Sequence, residues 1–231
     1  MRRLGESAAS LYVAQVASAF GYLGARRIAH RDLKLENLLI DATGHVVLVD
    51  FGFAKVVEDR TWTFCGTPDY LAPEIVSNQG HTRAVDWWTL GVLTFEMLHG
   101  QPPFAADDQM KTFKKIASGR YVVEGHVSSS ARDLIRRLLL PSPAMRIGML
   151  KRGAVDVFEH AFCRHIEIDK LERRQLPPPH MPRVRDAYDT SHFDAYPPDA
   201  DARSNRQYAR YLDPKYDDKW ESEFGAPCPG M

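Results

Sequence analysis

Cysteine is scarce, with three in 231 residues, at Cys65, Cys163 and Cys228. An odd, scattered set with no C-x-x-C pair argues against a disulfide framework and a zinc site, and points to a reducing compartment, cytosolic or nuclear. An excess of one charge is also missing. Thirty Lys and Arg balance thirty Asp and Glu, so no bulk basic surface argues for nucleic acid or an anionic membrane as partner. The most apolar run, Val85 to Leu98, contains Asp86 and Glu96 and is too short to span a bilayer. No internal repeat is visible, and Arg2-Arg3 leads into Leu4-Gly5-Glu6-Ser7 rather than an apolar stretch, so no signal peptide is expected.

What is present suits one domain, or one domain plus a tail, with 44% hydrophobic residues to build a core. Tyr12, Val16, Phe20 and Leu23 fall at helical spacing and predict a helix over 7–27, with Ser7 as its cap. Leu38-Leu39-Ile40 and Val46-Val47-Leu48-Val49 predict two strands joined by the turn Asp41-Ala42-Thr43-Gly44. Residues 53–73 lack periodicity and predict a long ordered loop. Residues 84–99 are apolar almost all round, which predicts a central buried helix closed by Gly100 and stopped by Pro102-Pro103. Further helices are expected over 108–118, 129–139 and 153–160. Beyond Leu176-Pro177-Pro178-Pro179 the chain turns polar, and residues 197–219 are expected to form an extended or disordered tail.

The chemistry concentrates in His30-Arg31-Asp32-Leu33-Lys34-Leu35-Glu36-Asn37, followed by Asp50-Phe51-Gly52 and Ala72-Pro73-Glu74. This spacing suits phosphoryl transfer. Asp32 can orient an attacking hydroxyl and accept its proton, and Lys34 can neutralise a transferring phosphate. Asn37 and Asp50 can offer oxygen ligands to Mg²⁺. The predicted hairpin puts Asn37 before its first strand and Asp50 after its second, so both leave the same end of one ribbon.

HRDLKLEN, DFG and APE in this order resemble the protein-kinase signatures. From about residue 2 to 225 the chain resembles the large lobe and tail of an AGC-group serine/threonine kinase of the cAMP- or cGMP-dependent branch. Thr61-Trp62-Thr63-Phe64-Cys65-Gly66-Thr67-Pro68-Asp69-Tyr70-Leu71, Val85-Asp86-Trp87-Trp88 and Asp189-Thr190-Ser191-His192-Phe193-Asp194 carry the match. Features of both cyclic-nucleotide classes are present, and the choice between them stays open.

The resemblance implies a mainly α fold, a kinase C-terminal lobe over 1–163 with a short β-hairpin at the catalytic loop, and an AGC tail over 164–231. It implies Asp32 as base, with Lys34 and Thr67 beside it. ATP would lie on Leu39 and Val49, with Mg²⁺ at Asn37 and Asp50. Lys34 with Gly66-Thr67 implies serine/threonine rather than tyrosine specificity. Thr63 would be a phosphosite facing Arg31 and Lys55. Glu36 and Glu96 would hold an arginine two residues before the target, the plainer alternative being ordinary solvent-facing or helix-pairing glutamates. Phe64, Pro68 and Leu71 would line a pocket for the residue after the target. Glu74 with Arg146 would form a buried ion pair, and Asp86 would brace the catalytic loop. Trp62 would be an exposed aromatic, which in the cAMP-dependent enzyme helps dock a cyclic-nucleotide-binding regulatory subunit.

The sequence also departs from the pattern. No G-x-G-x-x-G and no V-A-I-K-type lysine occurs ahead of the catalytic loop, so the N-terminal β lobe that covers ATP is expected to be missing. Leu35, Asp69 and Pro197 stand where proline, glutamate and an acidic residue are usual. Trp220 and Phe224 would have nothing to grip, and the surface that such a lobe covers would be exposed and apolar. The isolated chain is therefore expected to be nearly inactive. The alternative is a non-catalytic fragment that binds substrates or a regulatory subunit.

Overall fold

The computed structural model describes residues 3–186 and 188–194. By its contacts the chain divides into two units, 1–183 and 184–231.

The first unit is built on helix α3, Ala84–His99, in which every residue from Ala84 to Leu98 is buried. That follows from its composition, because a helix apolar on all faces has no face to give to water. Gly100, left-handed at φ 85°, closes it and donates to Glu96 O at 2.7 Å. Its glycine conformation costs no Cβ clash. Trp88 stacks on Phe104 with centroids 5.5 Å apart, and Trp87 meets Phe20 edge-on at 5.8 Å. Helix α5, Ser129–Leu138, crosses at Gly91, where a Cβ would lie 2.8 Å from Leu138 Cβ.

Helix α1, Glu6–Ala25, supplies Tyr12, Val16, Phe20 and Leu23 to this core. The expected cap is corrected: Gly5 occupies the N-cap position without a side-chain bond, and Ser7 lies inside the helix. Glu6 opens the helix, and its carboxylate accepts the Ser128 N–H at 2.6 Å, tying the start of α1 to the start of α5. Helix α4, Gln109–Ser118, is capped by Asp108, which accepts from Lys111 N, and α5 by Ser128, which accepts from Ala131 N. Short helices α2 (Pro73–Val76), α6 (Ala154–Phe158) and α7 (Ile168–Glu172) complete the helical set described. Leu171 and Ile166 pack with Leu11 and Ala14 of α1.

The hairpin forms as expected. Strand β2, Leu38–Ile40, pairs antiparallel with β3, Val46–Leu48, and Gly44 turns the chain at φ 81°. Val49 N donates to Asn37 O at 3.0 Å, extending the ladder to the ends that carry Asn37 and Asp50. A second pairing was not foreseen: β1, Ile28–Ala29, joins β4, Lys55–Val56, so residues 53–73 begin with a strand. Two-residue strands are too short to leave a period in sequence. The hairpin exposes Leu39, Ile40 and Val47. Among the described residues no helix is long and apolar enough to cross a membrane.

In the second unit, Arg185 pairs with Asp189 at 3.0 Å, and Phe193 N donates to Thr190 O. Pro197, residues 197–219, Trp220 and Phe224 lie outside the described residues.

Candidate active site

The loop from His30 to Asn37 connects β1 to β2. Arg31 adopts φ 70°, a left-handed conformation that costs a non-glycine residue about 1–3 kcal/mol. Asp86 on α3 holds it there. Its two carboxylate oxygens accept the N–H groups of His30 and Arg31, each at 2.9 Å. Burial pushes this carboxyl up to about 6, against the pull of those two backbone donors. His30 is fully buried. Its Nε2 lies 3.2 Å from Val49 O, its Nδ1 accepts from Asp32 N at 3.3 Å, and its ring meets Phe51 edge-on. Burial lowers its pKa, which agrees with a neutral ring that donates at Nε2 and accepts at Nδ1.

This frame converges on Asp32. Its Oδ1 accepts from Thr67 N at 3.0 Å and Thr67 Oγ1 at 2.8 Å. Its Oδ2 accepts from Lys34 Nζ at 2.9 Å and Asn37 Nδ2 at 3.1 Å. Lys34 Nζ also reaches Thr67 Oγ1 at 3.2 Å, and Asn37 Nδ2 donates to Asp32 O at 2.8 Å. Burial disfavours the charged form, but the bonds from Lys34 and Thr67 outweigh it and hold the carboxyl below the usual range. Asp32 is thus ionised at neutral pH, fixed in orientation, and a weak base. It is suited to aligning a hydroxyl and taking its proton late.

Asp50 is exposed, left-handed at φ 60°, and its Oδ1 accepts Gly52 N at 3.1 Å. Asn37 gives its amide hydrogens to Asp32, and among the described residues its side-chain oxygen and the second oxygen of Asp50 are left open. A carboxylate and an amide oxygen are hard donors that fit a divalent cation such as Mg²⁺. Leu39 and Val49 lie on the same hairpin, Leu39 exposed and Val49 half-buried.

Glu96 is buried and accepts a short bond from Tyr70 OH. Burial raises its pKa, the Tyr70 bond opposes this, and Glu36 and Asp69 add to the rise. Glu36, exposed, therefore shares an acidic neighbourhood with Glu96 and Asp69. Tyr70 was missed in the sequence reading; nothing about an aromatic before Leu-Ala-Pro-Glu marks it as a carboxylate's partner.

The remaining candidates are scattered. Thr63 is exposed and touches neither expected cation: Lys55 Nζ donates to Thr61 Oγ1 at 3.0 Å and Arg31 Nε to Phe53 O at 2.7 Å. Phe64 and Pro68 are exposed, and Phe64 meets Phe113 edge-on, whereas Leu71 is buried beneath Gly66. Trp62 is 62% exposed. Arg146, fully buried, donates to Glu74 at 2.6 and 2.7 Å and lies over the Trp88 ring.

A family model described as protein kinase domain matches residues 1–163. The chain belongs to the protein kinase family. It is 45% identical over 195 residues to the human cAMP-dependent protein kinase catalytic subunit PRKX, covering 84% of this chain and 54% of that protein. With the Drosophila melanogaster cAMP-dependent protein kinase catalytic subunit 3 the identity is 47%, over 81% of this chain and 32% of the relative. With human cGMP-dependent protein kinase 2 it is 43%, over 84% and 26%. Within the family, the chain falls in the cyclic-nucleotide-dependent AGC branch. It spans just over half of the first of these relatives and a third or less of the other two.

Proposed function

We propose that residues 1–163 are the lower lobe, and 164–231 the tail, of a serine/threonine kinase that passes the ATP γ-phosphate to basic protein substrates in the cytoplasm. The observation that carries this is the convergence of Lys34, Asn37 and Thr67 on the single carboxylate of Asp32. In this reading Asp32 aligns the substrate hydroxyl and accepts its proton, while Lys34, still partly exposed, neutralises the moving phosphoryl group. Asn37 and Asp50 would hold Mg²⁺, which when bound supplies positive charge to the phosphates. Leu39 and Val49 would lie under the adenine. Glu36 and Glu96 would receive the guanidinium of an arginine two residues before the target, and Phe64 and Pro68 would flank the residue after it. Phosphate on Thr63 would order the loop that carries them.

The 231 residues contain no glycine-rich loop and no strand lysine ahead of the catalytic loop. Positioning supplies most of the catalysis in this chemistry. By itself this stretch is therefore expected to transfer phosphate barely above background. The test measures transfer from radiolabelled ATP to an arginine-containing serine peptide, with the chain alone and with the chain fused behind a kinase small lobe. Activity in the fusion that disappears in Asp32→Asn supports the reading; a folded fusion with no Asp32-dependent transfer defeats it.

A second reading rests on two separate features, the exposure of Trp62 and the acidic cluster of Glu36, Glu96 and Asp69. The chain would then be a binding fragment for substrates or for a cyclic-nucleotide-binding regulatory subunit. Peptide or subunit binding, lost on Trp62→Ala, without transfer in the fusion would favour it.

A further inference from the structure

Two buried nitrogens close to the 53–73 segment have no hydrogen-bond partner among the described residues: Nη1 of Arg31 and Nε2 of His81. Both side chains are more than nine-tenths buried, His81 at 3% exposure and Arg31 at 7%. Leaving such groups unpaired is costly, and a native structure that does so usually reserves them for something. The backbone places them against one short stretch. Thr61 and His81 exchange both of their backbone hydrogen bonds, at 2.9 and 2.8 Å. Lys55 Nζ reaches the buried Thr61 hydroxyl at 3.0 Å. Trp62 lies over Gly80, left-handed at φ 70°, where a Cβ would come within 2.8 Å of the indole nitrogen. Residues 60–62 are thereby fastened to residues 79–81, and the exposed Thr63 follows directly.

We infer that His81 is a positioning residue for a phosphate on Thr63, completing with Arg31 and Lys55 a three-part basic cradle. This rests on the reading of Thr63 as a phosphosite and adds a titratable member to it. The charged groups facing His81 are Arg31 from the catalytic loop, Lys55 from β4 and Glu74 from α2; Glu74 is already engaged bidentately by Arg146. Without phosphate the imidazole is neutral: burial, then Arg31 and Lys55, hold its pKa below the ordinary histidine value, with Glu74 opposing. A phosphate brings nearly two negative charges and reverses that balance. Phosphate binding and proton uptake by His81 then favour each other, as linkage requires. The stabilisation is fully present where His81 is charged and is lost as pH rises through its elevated pKa.

The test uses the full 231-residue chain with either threonine or phosphothreonine at position 63, the latter inserted during translation. Melting temperatures are compared at about pH 6 and pH 8, spanning the histidine range. Phosphate is expected to raise the wild-type melting temperature by several degrees more at the lower pH. In His81→Gln, whose amide can still bond to phosphate but cannot titrate, the extra gain at the lower pH is expected to vanish, leaving only the opposite drift from the phosphate's own protonation near pH 6. An undiminished pH dependence in His81→Gln overturns the proposal, as does a pH-independent increment in the wild type. No increment in any form overturns it together with the Thr63 reading. A nitrogen NMR titration of His81 in the wild-type chain needs no variant: an unchanged midpoint on phosphorylation overturns the proposal, and a raised one supports it.

Discussion

Glu74–Arg146 and Asp32–Lys34 are both buried carboxylates held by a cation, at 2.6 and 2.9 Å, and they differ in what is left over. Arg146 uses all five of its N–H groups, on Glu74, Ala84 O, Leu140 O and Pro141 O. Nothing there remains to bind a ligand, and neither side chain is more than 5% exposed. Lys34 uses two of its three hydrogens, and its side chain is 24% exposed. The saturated pair anchors; the unsaturated one can exchange a protein partner for a phosphate.

This contrast can be broken by mutation. The largest expected effect is Glu74→Gln, which strands a buried guanidinium and should cost about 3–5 kcal/mol in urea unfolding. Asp32→Asn should cost far less stability while removing Asp32-dependent transfer in the fused chain. Equal losses of stability would erase the distinction between the two pairs.

Glu96 sharpens it from a third position, buried but with one neutral partner. Its raised pKa means that it takes up a proton at higher pH than an ordinary carboxyl. The affinity for an arginine peptide should therefore fall, by about tenfold for each 1.4 kcal/mol of pairing lost, as pH drops from neutral through that pKa. Tyr70→Phe removes the bond that holds the value down, so it should move the midpoint to higher pH. Fluorescence anisotropy across pH checks both, and an unshifted midpoint contradicts the role given to Tyr70.

The smallest effect is expected at Asp133, which binds Arg136, Arg137 and His160 at a partly exposed site on α5. Asp133→Asn should cost about 0.5–1 kcal/mol. Its pKa is depressed, by the His160 bond first and then the two arginines. Its contribution is present above the ordinary carboxylate pKa and lost only as pH falls through the lower folded value. Denaturation at pH 5 should still show a difference between wild type and variant.

Much of this layout was legible in the residues. The all-apolar stretch at 84–99 reads as a central helix, and the two apolar runs either side of Asp41–Gly44 read as a hairpin with Asn37 and Asp50 at one end. The start of α1 was misplaced by one residue, because Ser7 has the chemistry of a cap while Glu6 has a distant partner in Ser128 that local pattern cannot reveal. β1–β4, Tyr70 with Glu96, and His81 with Arg31 were invisible for a similar reason. Each brings near one another residues 26 to 50 positions apart, too briefly or too singly to leave a periodicity.

Helix α3 carries both Gly91, pressed against α5, and Asp86, which grips the catalytic loop by two backbone hydrogens. With no side chain at the crossing, the two rods meet at close range there, leaving no room even for a methyl group. In mechanical terms α3 is a reference edge, and the backbone just ahead of Asp32 is clamped to it by Asp86. What the clamp leaves unfixed is settled by the groups that reach Asp32 itself, Lys34 and Asn37 from the same loop and Thr67 from the 53–73 segment.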